Sequence, residues 1–137
     1  MKSKLLIVED ESDFVITLEP HAKRRGYECI VDFTGAGAVE MALQHKPAAI
    51  LLDMNLPKIS GLGLIQEIRR HHELMNTPII MLSAFNQEEI VAEAMDRGAK
   101  AYYTKGYPVS QLFNAIKEYT ALAGLANTSS PSTLHCS

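Results

Sequence analysis

The chain has only two cysteines, no excess of basic residues and no apolar run of membrane-spanning length. Cys29 lies in the strand-like Tyr27-Glu28-Cys29-Ile30-Val31 and reads as a small core residue, whereas Cys136 lies in a polar stretch. Nothing supports a disulfide between them, and a reducing cytoplasm is the expected compartment. A membrane span needs about 20 apolar residues, so none is expected. Met1-Lys2-Ser3-Lys4 runs straight into a strand-like stretch, so a secretory signal is not expected either. A net charge of −3 argues against a nucleic-acid-binding surface, which usually carries a basic excess. The nearest basic patch, Arg69-Arg70-His71-His72, reads as a solvated helix end with cations near its C-terminus. His21, His45, His71, His72 and His135 lack the spacing of a metal cluster.

What the chain does have is a regular alternation. Strands are expected over 4–8, 27–32, 48–53, 77–82 and 100–104, and helices over 12–25, 36–45, 61–71, 86–97 and 109–122. Phe14, Leu18 and His21/Ala22 form one stripe at helical spacing, and Leu112, Ile116 and Tyr119 form another. Gly26 and Gly98 follow helices where a left-handed cap is wanted, and Thr77-Pro78 opens a strand where proline removes no ladder bond. The order predicts an α/β, doubly wound domain with right-handed crossovers and helices on both faces of a parallel sheet. At 137 residues the chain fits one domain with a proper core, spanning 1–123. From about Gly124 it turns Ser/Thr-rich without periodicity, so 124–137 is expected to be a polar tail or a truncated linker.

Asp53 ends the apolar run Ala48-Ala49-Ile50-Leu51-Leu52, and Glu9-Asp10 end Lys4-Leu5-Leu6-Ile7-Val8 in the same way. Runs of this kind read as strands buried on both faces. Their carboxylates then fall at the rim where open α/β sheets bind ligands. Several carboxylates at one rim repel, and a hard divalent cation such as Mg²⁺ relieves that repulsion. Ser83 and Lys105 end the fourth and fifth strands at the same edge. The set suits phosphoryl transfer to a carboxylate. Asp53 would be the nucleophile, Glu9 and Asp10 would hold Mg²⁺, and Lys105 and Ser83 would meet phosphoryl oxygens. Each residue alone also has a plain structural reading: a turn-forming Asp, a Ser bonded to local backbone, a solvated Lys, an acidic helix start. Their joint placement at separate strand ends favours the chemical one.

With these residues in view the chain resembles the receiver domains of two-component response regulators, over about residues 2–122. The matching pieces are Leu-Ile-Val-Glu9-Asp10, Leu-Leu-Asp53-Met-Asn55-Leu-Pro57, Ser60-Gly61, Leu-Ser83-Ala84 and Gly98-Ala99-Lys-Ala-Tyr102-Tyr-Thr-Lys105. The resemblance implies a flavodoxin-like (βα)5 fold with a five-stranded parallel sheet in the order 2-1-3-4-5. It implies Asp53 as the phosphorylation site, and Glu9, Asp10, Asp53 itself and the Asn55 backbone carbonyl as Mg²⁺ ligands. Ser83 and Lys105 would contact the phosphoryl group, and Tyr102 would be the switch aromatic. Tyr103 faces the other way by strand alternation.

The implied function is a phosphorylation-dependent switch. Asp53 would take its phosphoryl group from a sensor histidine kinase or phosphotransfer protein. The surface of the fourth helix, fifth strand and fifth helix would then change for a downstream target, with a dimer through that surface as a family arrangement. Its activity would be limited to phosphoryl acceptance and slow self-dephosphorylation.

One departure stands out. The family usually has Lys-Pro with a cis peptide where this chain has Lys105-Gly106-Tyr107-Pro108. A non-proline cis bond costs about 2.5–4 kcal/mol, so a trans, reshaped loop is expected. Phe85 would stand at the mouth of the site, either slowing water attack or packing on the next helix. Three alternatives remain beside this reading. An aspartyl-phosphate phosphatase usually places a second Asp where this chain has Asn55, which cannot act as a general acid. A binding module with a silent site would not need the full residue set. A flavin-binding relative would want a phosphate loop after the first strand.

Overall fold

A computed structural model describes residues 3–84 and 87–128. The strands are β1 (Ser3–Val8), β2 (Tyr27–Asp32), β3 (Ala49–Asp53), β4 (Ile79–Ser83) and β5 (Ala101–Thr104). The helices are α1 (Ser12–Arg24), α2 (Ala38–His45), α3 (Gly61–Arg69), α4 (Glu88–Arg97) and α5 (Val109–Thr128). All strand pairs are parallel, in the order β2-β1-β3-β4-β5. This is the doubly wound fold expected from the alternation.

The apolar runs become central strands because both of their faces are covered. Leu6, Val8, Ile50, Leu52, Ile79 and Met81 pack beneath α2, α3 and α4 through Ala38, Ala42, Leu64, Ile65, Ile68 and Ala94. The alternate residues Leu5, Ile7, Ala49, Leu51, Ile80 and Leu82 pack against α1 and α5 through Val15, Leu18, Ala22, Leu112, Phe113 and Ile116. Strand periodicity sends neighbouring side chains to opposite faces, so one continuous apolar run supplies two cores. The expected stripes on α1 and α5 lie at the second of these.

Local signals account for several boundaries. Ser60 caps α3, its Oγ accepting from the Gly63 N–H at 3.1 Å. Gly26 (φ 85°) and Gly98 (φ 120°) take the left-handed conformation that a Cβ disfavours. Thr77-Pro78 stands just before β4, with the Pro78 carbonyl accepting from Ile50 N–H at 2.9 Å.

Other boundaries differ from expectation. Helix α3 stops at Arg69, and a 3-10 turn follows at His72–Leu74. Helix α5 runs on to Thr128 rather than ending near 122, through the first part of the stretch expected to be a tail. Phe85 and residues 129–137 lie outside the described residues. Among the described residues no helix is long and apolar enough to cross a membrane.

The patch Arg69-Arg70-His71-His72 is not one solvated helix end. Arg70 is exposed and pairs with Glu67, but Arg69 is part-buried and tied to carbonyls. Its Nε and Nη2 donate to Gly98 O at 3.1 and 2.8 Å, and its Nη1 donates to Leu74 O at 2.7 Å. It joins the ends of α3 and α4 and the 3-10 turn.

Candidate functional site

Backbone bonds beyond the strands hold the site at the carboxyl edge of the sheet. Glu9 N–H donates to Asp32 O at 3.1 Å, Met54 N–H to Leu82 O at 2.8 Å, and Lys105 N–H to Ser83 O at 2.8 Å. These bonds continue the parallel ladder by one residue, so side chains that follow three strands converge at one rim. Asp53 is the last residue of β3, in register with Leu82 of β4, and Ser83 is paired with Thr104.

Glu9 and Asp53 are each 1% exposed, and Asp10 beside them is exposed. Ligand oxygens from Glu9, Asp10 and Asp53 all lie within 4.8 Å of one another. Asp53 Oδ1 accepts from Asn55 N–H at 2.9 Å, and Asp53 Oδ2 is 3.5 Å from Lys105 Nζ. Glu9 Oε2 accepts from Glu11 N–H at 3.1 Å and from Lys105 Nζ at 3.0 Å. Glu9 Oε1 is buried and has no hydrogen-bond partner among the described residues.

The electrostatics follow from burial. It pushes the Glu9 carboxyl up to about 7, against the lowering pull of Lys105 and the Glu11 N–H. Burial also raises Asp53, opposed by the Asn55 N–H and Lys105. Burial disfavours the Lys105 charge, yet its hydrogen bonds to Glu11 and Glu9 outweigh that and hold it above its ordinary value. The rim therefore carries more buried negative charge than one lysine neutralises. An orphaned carboxylate oxygen among hard oxygen donors, with no thiolate or imidazole in the group, fits Mg²⁺.

Ser83 is buried, and its Oγ donates to Asn55 Oδ1 at 3.0 Å. Asn55 thus touches the site through its backbone N–H and its side-chain carbonyl oxygen. Tyr102 and Tyr103 point to opposite faces as alternation requires. Tyr102 packs half-buried on the α2–α3–α4 side, and Tyr103 packs on the α1–α5 side with its hydroxyl 3.3 Å from Tyr119. The Lys105–Gly106 peptide is trans, and Lys105 still reaches Glu9 and Asp53.

Three neighbours were not expected as site residues. Glu11 holds Lys105 from the solvent side, and the Phe14 ring lies 5.0 Å beneath its ammonium. Asp32 is buried at the end of β2, where Oδ1 accepts from Thr34 N–H and Oγ1–H at 3.1 Å and Oδ2 accepts from Gly37 N–H at 3.0 Å. The Asp32-Phe33-Thr34 spacing is a turn signal visible in the sequence. Nothing in the sequence marks Phe14 as a lysine's partner rather than a core residue.

Known proteins agree with this architecture. The sequence pattern of the family described as "Response regulator receiver domain" matches residues 5–117. The chain is 37% identical over 130 residues to the transcriptional regulatory protein PdtaR of Mycobacterium tuberculosis, covering 88% of this chain and 62% of that protein. It is 36% identical over 124 residues to the transcriptional regulatory protein KdpE of Staphylococcus aureus, covering 90% and 52%. It thus spans less than two thirds of these curated relatives' own length. In fold it is similar to a receiver domain protein (CheY-like) from Methanospirillum hungatei. That similarity has a TM-score of 0.85 at 21% identity, over 92% of this chain and 99% of that one. By the extent of the family match and the topology that carries it, the chain belongs to the receiver domains of two-component response regulators.

Proposed function

We propose that the domain is a phosphorylation-dependent signalling switch that accepts a phosphoryl group on Asp53. The observation that carries this reading is the pairing at Asp53. The carboxylate is 1% exposed at the sheet rim, with Lys105 Nζ 3.5 Å from Oδ2 and the orphaned Glu9 Oε1 in the same cluster. The donor is a phosphohistidine of a sensor histidine kinase or phosphotransfer protein. An Asp53 oxygen attacks phosphorus, the new P–O bond forms as the P–N bond breaks, and the imidazole leaves with the electron pair. Glu9, Asp10, Asp53 and the Asn55 backbone carbonyl are the groups that would hold Mg²⁺, which supplies positive charge to the carboxylates and phosphoryl oxygens when bound.

The chain's own residues do the rest. Lys105 turns from its Glu9–Glu11 contacts to a phosphoryl oxygen as a point charge. The Ser83 hydroxyl leaves Asn55 Oδ1 and donates to another. Tyr102 is the aromatic that follows Ser83 inward, and the surface of α4, β5 and α5 changes for a downstream protein target. Met95 (44% exposed) on α4 and Tyr107 (37%) after β5 offer apolar contact area there, which supports a dimer or a partner at that face. Attack of an in-line water on the aspartyl phosphate resets the site, so the domain signals rather than turning over substrate. The switch works in the cytoplasm, without direct nucleic-acid contact by this domain. We place the end of the packed domain near residue 123, with 124–137 as a tail or linker that starts as the last turn of α5. The packing of Ile116 and Tyr119 and the family match to residue 117 support that end.

The test is intact-protein mass after incubation with Mg²⁺ and acetyl phosphate, with Asp53→Asn alongside. A single Mg²⁺-dependent phosphate-sized gain, absent from the variant, supports the reading. A variant that still gains phosphate removes Asp53 as acceptor. No gain, followed by no response to beryllofluoride with Mg²⁺, favours a phosphate-independent binding module on the same fold.

A further inference from the structure

We propose that a cavity at the amino-terminal edge of the sheet, opposite the acidic rim, binds a diphosphate group. The cavity has a volume of about 470 Å³ and is lined by Ser3, Arg24, Arg25, Tyr27, Asn114 and Lys117, with the turn at Gly26. Its walls come from four elements that the fold brings together, with Tyr27 opening β2. Ser3 begins β1, the two arginines end α1 and follow it, and Asn114 and Lys117 lie on α5.

Three cations and no carboxylate line this cavity, in a chain whose net charge is −3. Among the described residues the ion pairs involve Arg70, Arg97 and Lys105, and none uses Arg24, Arg25 or Lys117. Arg25 is fixed in place: its Nη1 donates to His21 O at 3.2 Å, and its guanidinium lies 5.5 Å from the Phe113 ring centroid. Arg24 Nη2 lies 3.2 Å from His21 Nδ1, a ring held below its ordinary pKa by burial and by both arginines. The lining is therefore positive, and among the described residues no ion pair engages its cations.

The dipole of α1 explains cations at that helix's C-terminus. It does not explain Lys117, which lies inside α5 and faces the same cavity. Two guanidinium groups, one ammonium, an amide and a hydroxyl make a donor set suited to phosphate oxygens. The cations come from two helices on either side of the opening. An anion whose charge is divided over two linked phosphates matches them better than a single compact one. A cavity of this size is in the range that takes a small ligand. This site is independent of phosphorylation at Asp53.

The experiment is calorimetric titration of the chain with inorganic pyrophosphate in Mg²⁺-free buffer of fixed ionic strength. Arg24→Gln/Lys117→Gln is the test variant, since both residues are exposed and neither packs in the core. Expected is one saturable site whose Kd rises about tenfold or more in the variant and is unchanged in Asp53→Asn. Amide shifts on binding would centre on Ser3, Gly26 and Asn114. Absence of saturable heat, an unchanged Kd in the double variant, or shifts centred on Glu9 and Asp53 would overturn the proposal. Competition with adenosine diphosphate separates the two sources of the group. Displacement of pyrophosphate assigns a nucleotide, and no displacement assigns the free anion.

Discussion

Lys105 Nζ lies 3.0 Å from Glu9 Oε2, which makes the lysine a counter-ion of the acidic rim before any phosphoryl group arrives. Glu9 is 1% exposed and Lys105 15%, so the pair is screened far less than a surface salt bridge. One lysine thereby serves a structural role in the resting state and an electrostatic one in the proposed reaction.

Lys105→Met should destabilise the metal-free domain, because it strands two buried carboxylates. The expected loss is about 3 kcal/mol at pH 8. It should be smaller at pH 5, where Glu9 carries its proton. Urea unfolding at the two pH values checks this, and equal losses would separate Lys105 from Glu9.

Glu9 titrates near 7 in the folded domain against an ordinary value of 4.5. A raised carboxyl binds its proton more tightly folded than unfolded, so its contribution is present below about 4.5 and is lost as pH rises through 7. Metal-free stability should fall across that window by on the order of 3 kcal/mol. Glu9→Gln should flatten the slope, and Mg²⁺ should stabilise wild type more at pH 8 than at pH 5.5. Thermal melts with and without Mg²⁺ read both effects.

Ser83→Ala should still take up phosphate but uncouple Tyr102, because the hydroxyl that leaves Asn55 Oδ1 is the group Tyr102 is proposed to follow. Amide shifts along β5 and α4 on phosphorylation should shrink to less than about half of the wild-type response, in line with a lost population shift. A full response would remove Ser83 from the switch.

Arg69→Met should cost about 1–3 kcal/mol, since it strands the Leu74 and Gly98 carbonyls that the guanidinium serves. Chemical denaturation measures it. A loss under about 0.5 kcal/mol would mark Arg69 as the surface residue its sequence neighbours suggest.

Gly106→Ala should be nearly silent. A Cβ there meets nothing within 4 Å, and the backbone is outside the left-handed region. Stability within about 0.5 kcal/mol of wild type and unchanged phosphoryl uptake are expected. A larger effect would mean that the glycine is needed for loop movement.

The alternating pattern was legible because the central strands β1, β3 and β4 are apolar runs of strand length, set between stretches with helical spacing. The rim residues Glu9, Asp10, Asp53, Ser83 and Lys105 were legible because each ends or follows a strand, and a parallel sheet puts all such ends on one edge. The extension of α5 was not, because Gly124 and the Ser/Thr-rich run after it read as a helix end, a signal that helix-favouring residues such as Ala121, Ala123 and Ala126 outweigh.

The sequence by itself therefore determined the fold class, the sheet edge on which the acidic cluster sits and the residue types gathered there. Tertiary structure alone decided the partnerships. It set Lys105 against Glu9 and Glu11, Ser83 against Asn55, Arg69 beneath Gly98, and Arg24 across a cavity from Lys117. Periodicity records which face a side chain takes, whereas a contact between residues far apart in the chain depends on how whole elements pack and how far each side chain reaches.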